Sequence, residues 1–278
     1  MQIRLSQSTF LSAGNALDGI KSQIGSYTGV FGKNVINVKK ENDNIIFKGT
    51  CEGDIEAVCK EYFDLDNNYE NIKETLSRVD IYLKTSIEYG FGIRILNQDL
   101  WETIISFIIS ANNNIPRIKG IIERISKAYG EKIVWNSKEY YTFPIPEELS
   151  KASVADLRGL GLGFRDERVY ETTRIVKNKE IDLEELKLEK NVDKLREKLL
   201  TLPGVGPKVA DCIMLFSLKR TEVFPIDVWV RRVMNELYIK NVDENKVDKR
   251  EIEKLAREKY GNLAGLAQQY LFYWKREA

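Results

Sequence analysis

The stretch DLWETIISFIISA, residues 99–111, is apolar nearly all the way round a helix once its opening aspartate is passed. A helix with no polar face cannot lie on a surface and has to be sheathed by other elements. The flanking segments read as that sheath. DIEAVCKEYF and YENIKETLSRVDIYLKTSIEY carry apolar residues at three- and four-residue spacing. NIPRIKGIIERISKAYG opens with Pro116 near a helix start and closes on Gly130. SVADLRGLGLGFRDERVYETTRIVKN is two helices split by a glycine-rich turn, and 191–201, 207–218, 227–239 and 247–277 extend the helical remainder. Residues 1–55 differ: short β-branched and aromatic runs are punctuated by Gly and Asn, with ENDN a hairpin loop between VINVKK and IIFKG. The expected class is α+β. A small antiparallel sheet with helices occupies 1–88, and a helical body occupies 89–278.

The residue inventory limits the chemistry. Among 278 residues there is no histidine, which removes His general bases, Ser-His and Cys-His nucleophiles and His-ligated metals. The three cysteines, Cys51, Cys59 and Cys212, lack C-x-x-C spacing and cannot by themselves build a zinc or iron–sulfur site. An odd count of reduced thiols and no recognisable signal peptide fit a cytosol-like compartment: cytoplasm, with the nucleoid, in a bacterium or archaeon, or the nucleus in a eukaryote. No run approaches the ~18 apolar residues of a membrane span. Lys and Arg number 43 against 42 Asp and Glu, so any nucleic-acid face must gather its positive charge locally.

One motif concentrates the possibilities. DKLREKLLTLPGVGPKVADCIMLFSL is helix, tight turn, helix. Gly204 and Gly206 permit close backbone approach, Pro207 suits a first helical position, and amides aimed along a helix N-terminus bind a phosphate oxygen. This helix-hairpin-helix, at about 192–218, points to DNA backbone contact through Gly204, Val205 and Gly206. It does not define what Lys208 does. Asp211, at i+3, could pair with it for a few tenths of a kcal/mol, leaving Lys208 a surface charge.

FPIDVWVRR, residues 224–232, offers another partner. Asp227 stands where a helix N-cap is expected. The lysine helix is about 16 Å long, and the link 219–226 can span up to ~26 Å, enough to return Asp227 beside its beginning. A lysine near its ordinary pKa is neutral in only about one part in 2,500 at pH 7, a cost of ~4.6 kcal/mol. Burial and neighbouring dipoles reduce that cost and turn lysine into a nucleophile. A neutral amine attacking a sugar C1′ would displace a base and leave an imine that permits β-elimination. A nearby carboxylate would stabilise the oxocarbenium-like charge.

These two segments together resemble the helix-hairpin-helix, Gly/Pro-Asp signature of base-excision DNA glycosylases, and the lysine points to the bifunctional branch. ISANNNIPRI (109–118), LRGLGLGFRDERV (157–169) and YGNLAGLAQQYLF (260–272) narrow the resemblance to the 8-oxoguanine DNA glycosylase/AP lyase family. It extends over 91–272 and is weak before residue 60. The C-terminal cysteine cluster of iron–sulfur relatives is missing.

The resemblance implies a role for each matching position. Lys208 is the nucleophile and Asp227 its electrostatic partner. Cys212 lies against the flipped base, Phe272 stacks on its other face and Gln268 bonds its Watson–Crick edge. Read without the resemblance, these three are a buried helix cysteine, a core aromatic and a solvated helix position. Asn112 enters the gap left by the extruded nucleotide, which offsets a few kcal/mol of lost stacking. Arg117 and Arg165 hold the orphaned cytosine, with Phe164 as a wedge. The plainer reading makes NNN a helix stop and the arginines solvated or phosphate-facing.

The family's N-terminal Gly-Gln-x-Phe-Arg-Trp has only SAGNALDGI as counterpart, which assigns Gly14 to lesion sensing. Trp229 stands where vertebrate enzymes have histidine. The resemblance implies duplex DNA containing oxidised guanine as substrate, acted on by a monomer, with no redox cofactor and no catalytic metal. A cation bridging the 204–206 hairpin to phosphate would be structural. Two other readings stay open: a lyase-type glycosylase with another damaged-base preference, and a non-catalytic helix-hairpin-helix DNA-binding protein.

Overall fold

The computed structural model describes residues 26–278 except 42–43, 242 and 244–246. β1 (Ser26–Phe31), β2 (Asn34–Glu41) and β3 (Asn44–Thr50) form an antiparallel meander, with Val30 opposite Val35 and Val38 opposite Phe47. The expected hairpin therefore forms, with the first and last residues of ENDN, Glu41 and Asn44, paired as strand residues. Period-two alternation gives the meander one apolar face, and α1 (Ile55–Tyr62) covers it. Phe31, Ile36 and Val38 pack there with Cys59, Tyr62 and Phe63, the Phe31 and Tyr62 rings stacking at 4.0 Å.

The helical stretch 69–89 breaks in two, α2 (Tyr69–Ser77) and α3 (Ile81–Tyr89). The break falls at Asp80, whose carboxylate accepts the Leu83 amide at 2.9 Å and starts a new helix. The apolar stretch forms α4 (Leu100–Ser110), capped by Asp99, and every residue from Leu100 to Ile109 is buried. Each of its large apolar side chains contributes roughly 1.5–3 kcal/mol by leaving water. α5 (Ile115–Tyr129) ends at Gly130, where a Cβ would meet the Thr142 carbonyl oxygen at 1.9 Å. A second hairpin, β4 (Lys132–Trp135) and β5 (Lys138–Tyr141), was not anticipated from the sequence.

The chain continues through α6 (Pro146–Leu149), α7 (Val154–Gly159), α8 (Asp166–Lys177), α9 (Leu183–Leu188) and α10 (Val192–Leu200). Then come α11 (Pro207–Ser217), α12 (Val228–Met234), α13 (Lys249–Tyr260) and α14 (Ala264–Glu277). The helix expected over 247–277 is split at Gly261, whose φ of +52° ends α13. α5, α8 and α11 flank the buried α4, and Phe107 of α4 stacks on Phe216 of α11 at 5.9 Å. No helix among the described residues is long and apolar enough to cross a membrane. Three helix ends meet at one place: the C-terminal end of α4 and the N-terminal ends of α8 and α11.

Candidate active site

The hairpin between α10 and α11 turns on Gly204, whose φ of +88° favours a residue without a Cβ. A Cβ there would also lie 2.9 Å from Arg168 Cδ and 3.3 Å from Ile108 Cγ2, so the turn is pressed against α8 and the last turn of α4. Thr172 Oγ1 donates to the Pro203 carbonyl at 3.3 Å and ties α8 to the same turn. The Val205 amide donates inward to the Leu202 carbonyl at 3.0 Å and its side chain is buried. The Val205 amide is thus already partnered within the turn. Among the described residues, no acceptor takes the Gly204 or Gly206 amide.

Lys208 lies in the first turn of α11, half-buried, with Nζ 5.1 Å from the centre of the Phe107 ring. It does not pair with Asp211. That carboxylate is buried and bound to Arg196 of α10, with Nη2 at 2.9 Å and Nε at 3.0 Å from Oδ1. Arg196 Nη1 also reaches Asp193 at 3.2 Å. Its electrostatic partners are instead Cys212, one turn on, and Asp227. Burial works against its ammonium form. Cys212 and Asp227 work for it, and the balance lies above the ordinary lysine value. Burial raises the Cys212 thiol against the pull of Lys208.

Asp227 caps α12, accepting the Val230 amide at 2.7 Å, and its charge is felt by both Lys208 and Cys212. The structure thus brings Lys208, Cys212 and Asp227 together. The segment that returns Asp227 runs through the core: Val223, Phe224 and Ile226 are buried. Gly265, at the start of α14, lets this happen. Its amide donates to the Thr221 carbonyl at 2.7 Å, and a Cβ on it would lie 2.5 Å from Leu215 Cδ1 and 3.0 Å from the Val223 carbonyl oxygen. Nothing in LAGLAQQ marks that glycine in advance.

Gln268 and Phe272 lie one turn apart on α14, facing the same side. Gln268 is buried rather than solvated, its carbonyl oxygen accepting from Gln269 Nε2 at 2.6 Å. Phe272 is half-buried, with the Arg276 guanidinium carbon 5.6 Å from its ring centre. Gly14 lies outside the described residues.

The three asparagines each have a different position in the turn after α4. Asn112 adopts φ +50°, the left-handed conformation that ends helices. Asn113 Nδ2 donates back to the Ile109 carbonyl at 3.0 Å, and the Asn114 side chain caps α5 by accepting the Arg117 backbone N–H at 3.0 Å. Of the three, the Asn112 side chain alone makes no hydrogen bond to a described residue, and it is exposed.

Arg165 departs from the picture of a solvated arginine. It is 2% exposed, and its guanidinium donates to the carbonyls of Ala111 at 2.8 and 2.6 Å, Asn112 at 2.7 Å and Leu162 at 3.2 Å. Four of its five N–H groups are so engaged, which leaves one open. Its main structural work is to hold the Asn112 turn. Arg117 is exposed and donates to the Gly161 carbonyl at 3.2 Å. Phe164 is 55% exposed, with the Arg165 guanidinium 4.2 Å from its ring centre. Asn112, Arg117, Phe164 and Arg165 therefore form one cationic edge beside the hairpin, with Phe164 exposed on it.

A glycine-rich hairpin on a helix start, with a lysine one turn before a cysteine and a carboxylate capping the next helix, places the chain among helix-hairpin-helix base-excision proteins. A family model described as "HhH-GPD superfamily base excision DNA repair protein" matches residues 105–261, and the chain belongs to that superfamily. A second model, "8-oxoguanine DNA glycosylase, N-terminal domain", matches residues 5–104. The chain is 35% identical over 236 residues to the "Probable N-glycosylase/DNA lyase" of Methanothermobacter thermautotrophicus, covering 78% of this chain and 73% of the relative. It superposes on MBOgg1 in complex with a low affinity DNA ligand with a TM-score of 0.90 and 42% identity, over 98% of this chain and 92% of the other. The Clostridium acetobutylicum 8-oxoguanine glycosylase/lyase, solved with double-stranded DNA containing cytosine opposite 8-oxoG, gives a TM-score of 0.89 and 39% identity over the same shares.

Proposed function

We propose that this chain is a bifunctional DNA glycosylase and AP lyase that excises 8-oxoguanine from duplex DNA, working as a monomer on chromosomal DNA. The observation that carries the reading is the convergence of Lys208, Cys212 and Asp227 at the mouth of the hairpin. It is supported by similarity along nearly the whole chain to glycosylase/lyases. The hairpin amides hold a backbone phosphate, and the target nucleotide leaves the stack toward Cys212 of α11 and Gln268 and Phe272 of α14. Asn112 occupies the gap, with Phe164 as a wedge and Arg117 and one N–H of Arg165 facing the orphaned base.

The resting lysine is an ammonium, so Nζ gives up a proton before it acts. The neutral amine then attacks C1′. The C1′–N9 bond breaks, its electron pair leaving with the base, which takes up a proton. Asp227 stabilises the positive charge that develops on the sugar. The C1′–O4′ bond next breaks, O4′ is protonated and a protonated imine to Lys208 remains. Removal of a C2′ proton expels the 3′ phosphate, and water releases the lysine.

Borohydride, which reduces the imine to a stable amine, provides the test. A duplex carrying 8-oxoguanine opposite cytosine should yield a covalent adduct with the native protein and none with Lys208→Gln. No adduct on any damaged duplex would overturn the catalytic reading. An adduct on an oxidised-pyrimidine duplex alone would assign a different base.

A further inference from the structure

Arg168, in the first turn of α8, has no place in the roles considered so far. A cation there opposes the helix dipole, and two of the carboxylates on the same helix are already engaged. Asp166 binds Arg158 at 2.6 Å, and Glu171, three residues on, binds Arg174 at 3.2 Å. Among the described residues no carboxylate pairs with Arg168, and its side chain is exposed. It is also close to its own kind: Arg165 is held below the ordinary arginine value by burial, then by Arg117 and Arg168. Three guanidinium groups gathered together, none of them ion-paired with a carboxylate among the described residues, raise the energy of the protein alone and lower it against a polyanion.

The path of the side chain matters as much as its charge. Its stem lies across the hairpin turn, where a Cβ on Gly204 would meet Arg168 Cδ at 2.9 Å and its Cβ at 3.5 Å. Its guanidinium carbon ends 5.4 Å from the centre of the Phe164 ring. One side chain thus spans from the hairpin to the wedge. A guanidinium can hold an aromatic face with its plane and a phosphate with its edge, which an ammonium does less well.

We propose that Arg168 is a DNA phosphate contact, seated between the Gly204 hairpin and the Phe164 wedge, that grips the backbone independently of sequence or lesion. The proposal rests on the reading of this edge as a DNA-binding face. Its test uses the Lys208→Gln protein, which binds without turning over. Anisotropy titrations compare 8-oxoguanine and undamaged duplexes of the same sequence between about 50 and 200 mM salt.

Adding Arg168→Gln should weaken binding to both duplexes by the same factor, roughly tenfold, and reduce the slope of log affinity against log salt by about 0.9. Arg168→Lys should restore the slope. An unchanged slope, or a loss confined to the lesion duplex, would make Arg168 only a brace for Phe164 and overturn the proposal. If the Lys208→Gln parent binds neither duplex, the DNA-binding reading falls, and the proposal with it.

Discussion

Asp211 is bound to Arg196 of the preceding helix and not to Lys208, three residues before it on its own. Burial pushes the Asp211 carboxyl up to about 6, against the pull of Arg196 and with a further push from Glu253. An unfolded aspartate titrates near 3.9, so between about pH 4 and 6 the folded protein holds a proton that the unfolded chain has lost. This contribution to stability is full below the unfolded value and is lost as pH rises through about 6. Two units correspond to ~3 kcal/mol. The difference in urea-unfolding free energy between native protein and Asp211→Asn should therefore change by about that much across the window. Parallel pH curves for the two proteins would refute the assignment.

Asp227→Asn keeps an oxygen to cap α12 and removes the charge. Thermal stability should shift little, while 8-oxoguanine excision falls on the order of 10²-fold or more. Because Asp227 helps hold Lys208 above its ordinary value, the borohydride-trapping profile on a preformed abasic site should move to lower pH. A profile that stays in place would show that Asp227 does not keep the lysine protonated.

Gly265→Ala replaces glycine inside a helix, which in isolation stabilises by up to ~1 kcal/mol. Here the new Cβ would meet Leu215 and the Val223 carbonyl. Net destabilisation of about 1–3 kcal/mol is expected, and the segment carrying Asp227 should shift with it, lowering excision. A gain in urea midpoint with full activity would contradict this.

Asn112 separates backbone from side chain. At its φ of +50°, Asn112→Ala should cost on the order of 1 kcal/mol, and Asn112→Gly should be better tolerated. If the side chain fills the gap in DNA, both variants lose excision to a similar extent. Full activity in the glycine variant would reduce Asn112 to a turn residue.

What could be read from the sequence was what a local pattern or a simple length limit decided. The enclosure of α4 followed from its all-round apolar pattern, and the meeting of Lys208 with Asp227 from helix length and linker reach. The partner of Asp211 was hidden because Lys208, on the same helix, offered a local partner, whereas Arg196 is brought in by the packing of α10 on α11. The burial of Arg165 was hidden for the same reason, since two of the carbonyls it serves lie 53 and 54 residues away. The β4–β5 hairpin escaped notice because its turn is Asn136-Ser137. Both residues adopt positive φ, yet the pair lacks the glycine that usually marks such a turn.

The enclosure of α4 also bears on how this protein can be altered. A helix without a free face offers no position where a polar group can be added cheaply, and its two ends are the places left for change. Its C-terminal end carries Asn112, and its last turns support Lys208 through Phe107 and the hairpin through Ile108. The core and the catalytic scaffold are thus one mechanical unit. Variants selected for altered chemistry at this end should show changed heat tolerance, and attempts to loosen the site should be felt first as unfolding.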